Sequence, residues 1–344
     1  MHKDGKSVFF LEFQFISPSN AQLLMSSSLT TPILVTGATG FIGSNLVRRL
    51  VLDYKEIHII IRKESNLCRL NDIIDKMNVH IVDLIDRVAV EKVIEKIKPQ
   101  TIFHLAAYGA YPFQNDVRKI KSVILDGTIN LVDACLNHNF DILINTGSNS
   151  EYGFKNSPMK ETDILCPNSQ YAVMKAAATH YCNFIGRSQN RPIVTVRPFH
   201  IYGPYEEQTR FIPKLLTKLL DNGLPNLVSP DIARDMLYID DAIDLFITIA
   251  TNEPIDGDIY NMGSGQQSTI KSIVDVALLL TNSNVIPEWG SMGPRMWDQN
   301  IWIADMKKVK EIFDWEPRYS LKDGLIKTIN WNKGTEYSPN RNYK

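Results

Sequence analysis

The sequence predicts an α/β protein built on a parallel, doubly wound sheet, and two observations indicate this fold class. Short runs rich in β-branched residues alternate with helix-like periodic stretches from residue 33 to about residue 198. The first of these runs passes through a glycine-rich turn directly into an apolar, helix-like run at 44–50. Strands that alternate with helices favour a parallel sheet covered by helices on both faces.

The predicted strands follow one another along the first part of the chain. They lie at residues 33–35, 57–61, 79–82, 101–105, 142–145 and 192–196. Helix-like stretches separate them, for example at 88–97 and 128–137. Beyond Pro198 the alternation loosens, and helix-like runs lie at 211–222, 240–251 and 269–281. This second part is predicted to form a smaller lobe that closes over the strand ends, where ligands of such sheets bind.

Three regions are therefore expected. Residues 1–30 are predicted to be a dispensable extension, because Glu12 and Gln14 interrupt its apolar runs in a way that a secretory signal would not. Residues 31–198, together with segments that return to it later in the chain, are predicted to form the sheet domain. Residues 199–335 are predicted to form mainly the substrate-binding lobe.

The composition argues against several classes of function. The 344 residues carry a formal net charge of −1, so no overall field attracts nucleic acid or an anionic membrane. The four cysteines show neither CxxC spacing nor a cluster with histidine, which argues against a disulfide framework and a metal site. No apolar stretch reaches the length of a membrane span. A cytoplasmic protein is expected.

A glycine-rich turn at Gly37, Gly40 and Gly43 predicts a dinucleotide site. Glycines let the backbone approach a pyrophosphate closely, and the N-terminus of the following helix attracts the anion. The spacing GxxGxxG is one residue longer in its first gap than the usual dinucleotide fingerprint. Glycine turns between a strand and a helix also occur for packing, so a second signal is needed.

A tyrosine and a lysine four residues apart supply that second signal. Tyr171 and Lys175 share one face if residues 171–175 are helical. The ammonium is expected to lower the pKa of the Tyr171 phenol toward working pH. The tyrosine then moves a proton to or from a sugar hydroxyl while a nicotinamide moves the hydride. Taken alone, the same spacing is also that of an amphipathic surface turn.

Further motifs follow in order between about residues 33 and 331. They are TGATGFIGSNL at 36–46, Asp83-Leu84, HLAA at 104–107, Gly127-Thr128, TGSNSEYG at 146–153, YAVMK at 171–175, RPFHIYGP at 197–204 and RDMLYIDD at 234–241. With these motifs the chain resembles the extended short-chain dehydrogenase/reductase family, in its branch of NAD(P)-dependent nucleotide-sugar epimerases and dehydratases. The resemblance implies a Rossmann-type sheet with a smaller C-terminal substrate-binding lobe.

The resemblance also implies roles for individual residues. Ser148 would hydrogen-bond the reacting sugar oxygen, Tyr171 would be the acid or base, and Lys175 would hold the nicotinamide ribose. The implied cofactor-binding residues are Gly37, Gly40, Phe41, Ile42, Gly43, Arg62, Asp83, Leu84, Ala106, Ala107, Tyr171 and Lys175. The alternatives are a strand-end cap for Asp83 and a loop serine bonded to local backbone for Ser148.

The residues after the second predicted strand bear on the choice of cofactor. An acidic residue there would bind the ribose 2′-hydroxyl of NAD(H), whereas an arginine would bind a 2′-phosphate. The chain has Arg62 and Lys63, with Glu64 one step later. NADP(H) is therefore expected, and NAD(H) is the alternative if Arg62 and Lys63 are ordinary solvated charges.

The resemblance implies a nucleotide-diphosphate sugar as the partner, and guanidinium groups are expected to hold its diphosphate because they match phosphate geometry. By resemblance, Arg234 and Arg295 hold the diphosphate and Asp298 holds the nucleoside ribose. The implied substrate-binding residues are Ser148, Asn149, Arg210, Arg234, Arg295 and Asp298. For any single arginine the alternative is a surface ion pair. Members of the family often form homodimers, so a homodimer is expected.

Two departures from the family pattern bear on the reaction. Dehydratases of this branch carry an Asp-Glu pair directly after the Ser/Thr, where this chain has Asn149 and Ser150, and neither transfers a proton as a carboxyl does. Glu151 comes one residue late and points away if the segment is extended. Ile124 stands where the family usually has an asparagine that supports the helix near the active site.

These departures rank the reactions. Reduction of a 4-keto (deoxy)sugar nucleotide is the expected function, slightly ahead of epimerisation through a transient ketone. A 4,6-dehydratase is disfavoured. A non-catalytic NAD(P)-binding regulator comes last, because such proteins usually lose the tyrosine or the lysine.

Overall fold

A seven-stranded parallel sheet forms the centre of the protein. The structure is a computed structural model that describes residues 28–111, 113–293 and 300–334. Its strands are β1 (Ile33–Thr36), β2 (Ile57–Ile61), β3 (Asn78–Ile81), β4 (Thr101–His104), β5 (Ile142–Thr146), β6 (Ile193–Pro198), β7 (His200–Tyr202), β8 (Ala233–Tyr238), β9 (Ile259–Met262) and β10 (Gln267–Thr269). In the large sheet the order is β3-β2-β1-β4-β5-β6-β9, and each adjacent pair is parallel.

The helices cover both faces of this sheet. They are α1 (Phe41–Asp53), α2 (Arg87–Ile97), α3 (Val117–Lys121), α4 (Gly127–Cys135), α5 (Gln170–Gln189), α6 (Phe211–Leu220), α7 (Ile239–Thr251), α8 (Ile270–Thr281), α9 (Lys307–Phe313) and α10 (Leu321–Lys333). Alternation along β1 divides its side chains between the two faces: Ile33 and Val35 join the core beneath α1 and α7, whereas Leu34 joins the core beneath α2, α4 and α5.

The predicted fold class is confirmed: this is a doubly wound parallel α/β sheet of the Rossmann type. The predicted strands lie within two residues of β1 to β6, because each is a short apolar run buried on both faces. The strand order reverses direction between β1 and β4, which opens a crevice at their carboxyl ends. Ligands of open α/β sheets bind in such a crevice.

The residues beyond Pro198 build a lobe and also return to the large sheet. β7, β8 and β10 form a three-stranded sheet in which β8 pairs parallel to β7 and antiparallel to β10. β9 then adds to the edge of the large sheet beside β6. Apolar residues of α6 and α8 belong to the same buried cluster as those of α1 and α7. The lobe and the sheet therefore share one continuous core.

No helix in the described part of the chain is long and apolar enough to cross a bilayer.

Candidate active site

The glycine-rich turn leaves open the space that a diphosphate would need. Gly37 has a φ of +68°, and a Cβ added there would lie 2.6 Å from the backbone nitrogen of Ala106. A Cβ on Gly43 would collide with the carbonyl of Gly37, whereas one on Gly40 would lie 3.2 Å from that same oxygen. Gly37 and Gly43 are thus required by close backbone packing, and together they bring the end of β1 against the start of α1.

The N-terminus of α1 is free of acidic side chains. Gly40 is its N-cap and makes no side-chain cap bond, and Phe41 and Ile42 begin the first turn. The first N–H groups of an α-helix have no partner inside the helix, and the helix dipole makes them attractive to an anion. The residues at this end of the crevice therefore fit a dinucleotide pyrophosphate.

The residues expected to contact the adenosine part lie after β2 and β3. The Nε atom of Arg62 is 3.3 Å from a carboxylate oxygen of Glu64, in an ion pair at the surface. Asp83 accepts a hydrogen bond from the Ile85 backbone nitrogen at 3.2 Å, so the strand-end cap considered above is formed. Leu84 is buried in the core beneath α2 and α4, where it packs close to Gly127.

A chain of hydrogen bonds runs behind the expected cofactor site. The Ala106 N–H donates to Thr36 Oγ1 at 3.4 Å, and the Thr36 hydroxyl lies 2.7 Å from Nδ1 of buried His104. His104 Nε2 lies 2.9 Å from Thr128 Oγ1, which donates to the Ile124 carbonyl. The Ile124 carbonyl can only accept, so the Thr128 hydroxyl donates to it and accepts from His104 Nε2. His104 therefore carries its proton on Nε2, and its Nδ1 atom accepts from the Thr36 hydroxyl. Burial lowers the pKa of His104 to about 3, in keeping with a neutral ring.

This series of hydrogen bonds fixes the backbone on both sides of the site. It holds Ala106 beside the glycine-rich turn, while Ala107 is exposed at the crevice. At its other end lies a π-helical turn, Ser122–Asp126, that contains Ile124. The Ile124 side chain is buried in a small apolar cluster against which Tyr171 and Met174 pack. The position where the resemblance implies an asparagine is thus an apolar contact of the tyrosine helix.

Lys175 is buried at the centre of the candidate catalytic group. Its Nζ atom donates to the carbonyl of Thr146 at 2.6 Å. Burial lowers the pKa of Lys175 to about 8, and the negative charge of Glu151 opposes that shift. Tyr171 and Lys175 lie one turn apart on α5, as predicted.

The pKa of Tyr171 differs from the expectation. Burial raises it to about 12, and the influence of the Ser148 hydroxyl acts in the opposite direction. The expected lowering by Lys175 is not found, because the ammonium is directed at the Thr146 carbonyl. The phenol is therefore protonated at neutral pH and suited to donate a proton.

Ser148 lies at the end of β5 and caps a short 3-10 helix, Asn149–Tyr152. Its Oγ atom is 2.7 Å from the hydroxyl of Ser150. The Glu151 carboxylate accepts from the Ser148 backbone nitrogen at 2.7 Å, which completes a capping box. The segment is helical and not extended, so the condition under which Glu151 would point away is not met, and the helical turn directs its carboxylate into the core.

Glu151 is fully buried and fully engaged. One carboxylate oxygen accepts from the Thr179 hydroxyl at 3.1 Å, and the other lies 2.9 Å from the Nε atom of Arg197 on β6. Arg197 is 1% exposed. A buried carboxylate held by a guanidinium, a hydroxyl and a backbone N–H has a structural role, because removing one partner would leave a buried charge uncompensated.

A cavity of about 460 Å³ adjoins this group on the lobe side. It is lined by Arg210 and Arg234, two of the expected substrate-binding residues. Neither Ser148, Asn149 nor Tyr171 lines it, but the charge of Arg210 and the Tyr111 phenol, both at the cavity wall, influence the pKa of Tyr171. Arg295 and Asp298 lie outside the described residues.

Three lining residues were missed by the sequence reasoning: His200, Glu206 and Trp302. Each has a buried nitrogen or oxygen without a hydrogen-bond partner among the described residues. His200 lies within the RPFHIYGP motif and Glu206 two residues after it, so that motif was an available signal. Trp302 comes from a distant segment, and nothing in the local sequence marks it.

Comparison with known proteins was made at three levels. The model of the NAD dependent epimerase/dehydratase family matches residues 33–263. The chain is 28% identical to a dTDP-D-glucose 4,6-dehydratase of Dictyostelium discoideum, in an alignment that covers 90% of this chain and 82% of that protein.

Solved structures agree with that match. The dTDP-glucose 4,6-dehydratase from Bacillus anthracis, in complex with NAD, superposes with a TM-score of 0.77 and 25% identity, covering 88% of this chain and 97% of that one. The UDP-glucose 4-epimerase from Thermotoga maritima, with UDP-glucose, has a TM-score of 0.80, 23% identity and coverage of 88% and 99%, a likeness of fold alone. Since the family model spans most of the 344 residues, the resemblance is confirmed, and the chain belongs to the NAD dependent epimerase/dehydratase family.

Proposed function

We propose that this protein reduces a 4-keto (deoxy)sugar nucleotide by hydride transfer, with NADP(H) as its cofactor. The observation that argues against dehydration is the chemistry of residues 149–151. Asn149 and Ser150 have no carboxyl group, and the Glu151 carboxylate is held by Arg197, Thr179 and the Ser148 backbone. Arg62 and Lys63 favour NADPH, which a reductase consumes, and this ranks reduction ahead of epimerisation.

The residues of the candidate site divide this work. A bound nicotinamide supplies the hydride. The Tyr171 phenol, protonated because of its raised pKa, gives its proton to the sugar oxygen. The Ser148 hydroxyl hydrogen-bonds the same oxygen and orients it. Lys175, anchored to the Thr146 carbonyl, presents a positive charge behind the phenol and would hold the nicotinamide ribose.

The substrate diphosphate is expected in the cavity on the lobe side. Arg210 and Arg234 line it and offer guanidinium groups to the phosphates. The guanidinium of Arg210 lies 5.4 Å from the centre of the Tyr111 ring, and that of Arg234 lies 5.9 Å from the Trp302 ring. Both arginines are therefore positioned by aromatic neighbours at the cavity wall.

Two other reactions compete with this one. Epimerisation uses the same phenol and needs no further carboxylate, so the residues at 149–151 do not separate it from reduction. Several relatives, including the Dictyostelium discoideum protein, are named 4,6-dehydratases. Elimination of water needs an additional acid and base, and positions 149 and 150 do not provide them.

The preference for NADP(H) rests on Arg62. Its ion pair with Glu64 is at the surface, where a 2′-phosphate could replace the carboxylate. We expect Arg62→Ala to weaken NADPH binding about tenfold while NADH binding changes little, measured by nicotinamide fluorescence. Tighter binding of NADH by the unmodified protein, unchanged in the variant, would contradict the preference.

A screen of sugar nucleotides by mass spectrometry, with and without NADPH, tests the reaction. Reduction adds two hydrogens to a keto sugar nucleotide and consumes NADPH. An isomer of unchanged mass, formed with no added cofactor, would identify an epimerase, and loss of water would identify a dehydratase. Cofactor binding without turnover of any sugar nucleotide would favour the non-catalytic NAD(P)-binding regulator.

The expected homodimer stays a prediction. Helix α5 exposes two apolar side chains, Val173 at 44% and Phe184 at 64% exposure, which supply apolar area for such a contact. Light scattering on the purified chain measures the mass, and Phe184→Asp is expected to favour the monomer.

A further inference from the structure

Three buried polar atoms in the wall of the lobe-side cavity lack a hydrogen-bond partner among the residues that the structure describes. Glu206 Oε2, His200 Nδ1 and Trp302 Nε1 are all buried, and none has a hydrogen-bond partner within the described ranges. Buried polar atoms are almost always paired, so three orphans around one cavity indicate a ligand that supplies the missing bonds. The Trp302 indole N–H donates a hydrogen bond and a Glu206 carboxylate oxygen accepts one, and a sugar hydroxyl can both accept and donate.

The cavity has an apolar end and a polar end. Leu227, Val228, Ile270 and Met292 line the apolar end, which suits a nucleobase. Glu206, Arg210 and Tyr111 lie together at the polar end: the Arg210 Nε atom is 3.9 Å from a Glu206 oxygen, and both charges influence the pKa of Tyr111. The charge of Arg210 also influences the pKa of Tyr171, the proposed proton donor.

Glu206 is the one carboxyl group among the described residues that line the cavity. It is 9% exposed and sits between the end of β7 and the start of α6. Its neighbour Glu207 turns the other way, to Arg69, at 2.7 Å. The two adjacent glutamates therefore have different environments, one within the cavity and one in an ion pair outside it.

We propose that Glu206 is a specificity determinant that admits a neutral sugar and excludes a sugar acid. The inference rests on the proposed nucleotide-sugar function. The buried carboxyl bonds sugar hydroxyls through its unpartnered oxygen, together with His200 and Trp302. A hexuronate would bring its own carboxylate into the same desolvated space, where like charges repel strongly and the half-exposed guanidinium of Arg210 is shared with the substrate diphosphate.

The strength of this exclusion depends on pH. Burial raises the pKa of Glu206 to about 8, against the opposing influence of Arg210, while Glu207 adds to the rise. The other charged or titratable groups at this wall are Tyr111, His200, Lys214 and Arg234. At pH 7 the carboxyl is mostly protonated and the repulsion is partial. At pH 9 it is ionised and the repulsion is complete, while the charge of the uronate and the diphosphate stays constant.

Calorimetric titration of the full chain with UDP-glucose and UDP-glucuronic acid tests the proposal. We expect the unmodified protein to prefer UDP-glucose by about tenfold or more at pH 9, and by a smaller ratio at pH 7. Glu206→Gln, an isosteric change, should reduce the ratio to below about threefold and remove its pH dependence. Glu91→Gln, which breaks an exposed ion pair with Arg87 on α2, is the control and should leave both unchanged. Lys175 also titrates near this range and is unchanged in Glu206→Gln, so a pH dependence that persists in that variant would belong to Lys175 and contradict the role of Glu206.

Several outcomes would overturn the proposal. Equal affinity of the unmodified protein for the two sugar nucleotides, a ratio that does not change with pH, or binding of neither ligand at millimolar concentration would each do so. The test on the unmodified protein needs no variant to fold. Because only binding is measured, a protein that shows the preference but reduces no keto sugar would disprove the proposed reaction and leave this inference intact.

Discussion

The catalytic group and the lobe-side cavity differ in how their charged groups are held. In the catalytic group, Lys175 donates to the Thr146 carbonyl, and the Glu151 carboxylate accepts from the Ser148 backbone and pairs with Arg197. In the cavity wall, one oxygen of Glu206 has no partner in the described part of the chain, and the other lies 3.9 Å from Arg210. Under the proposed function, the charged groups of the catalytic region are organised before substrate arrives, whereas Glu206 is completed by it.

The largest expected effect comes from removing the proton donor in the organised region. Tyr171→Phe should lower turnover about 1,000-fold while NADPH binding changes less than about threefold, because general acid catalysis is lost and the helix stays intact. Steady-state kinetics and a fluorescence titration measure the two effects. Tyr181→Phe is a control on the same helix, since its hydroxyl bonds Asp133 away from the site. Activity retained in Tyr171→Phe would refute the role.

The second effect is a loss of cofactor affinity, caused by a substitution in the glycine-rich turn. Gly37→Ala should weaken cofactor binding about 100-fold, because the residue has a positive φ and its Cβ would meet the Ala106 backbone. Gly40→Ala is the matched control: its Cβ meets only one oxygen, at 3.2 Å. A titration with NADH and NADPH measures both variants. If the two substitutions weaken binding equally, the close approach of Gly37 to Ala106 is not what shapes the site.

Replacing Glu151, whose carboxylate accepts from the Ser148 backbone nitrogen, tests its contribution to the stability of the folded chain. Glu151→Gln keeps an oxygen for the Ser148 N–H but leaves the buried Arg197 charge without its carboxylate. We expect a loss of about 3 kcal/mol in the free energy of unfolding, measured with urea. Asp275→Asn, which breaks an exposed ion pair with Lys271 on α8, should cost less than about 0.5 kcal/mol. A loss in Glu151→Gln no greater than in that control would contradict the structural role of the pair.

The last effect is a pH dependence of stability that comes from the cavity. The pKa of Glu206 is raised from 4.5 to about 8, so between these values the folded chain binds more protons than the unfolded chain. Its contribution to stability is therefore lost as the pH rises from about 4.5 toward 8. Relative to Glu206→Gln, the unmodified protein should be less stable at pH 8 than at pH 5 in urea denaturation. Parallel stability profiles would show that the carboxyl is solvated in solution.

The two regions also differ in how far the sequence predicts them. The strands, the glycine-rich turn and the Tyr171–Lys175 pair follow from local pattern and helical spacing, because each depends on residues close in the chain. The capping box was also readable, since Ser148 and Glu151 have the S-x-x-E spacing of a helix start. The pKa of Tyr171 was not predictable, because burial against Ile124 and the direction of the Lys175 ammonium arise only in the folded chain.

The cavity was less predictable for a related reason. Its polar end joins Tyr111, Glu206 and Trp302 from three separate segments, and no periodicity links them. An arginine is readily expected to bind a diphosphate, so Arg210 and Arg234 were found from residue type and motif. A glutamate two residues beyond a motif gives no such indication until its oxygen is seen to be buried and unpaired.

The return of β9 to the large sheet has a consequence for how the molecule can be divided. A chain ending at residue 198 would lack the strand that covers β6, leaving a row of unpaired backbone groups on an apolar edge. It would also lose α7, whose side chains fill the core beneath β1 and β4. Such a fragment is expected to aggregate, so the large sheet and the lobe cannot be expressed apart and recombined as independent modules.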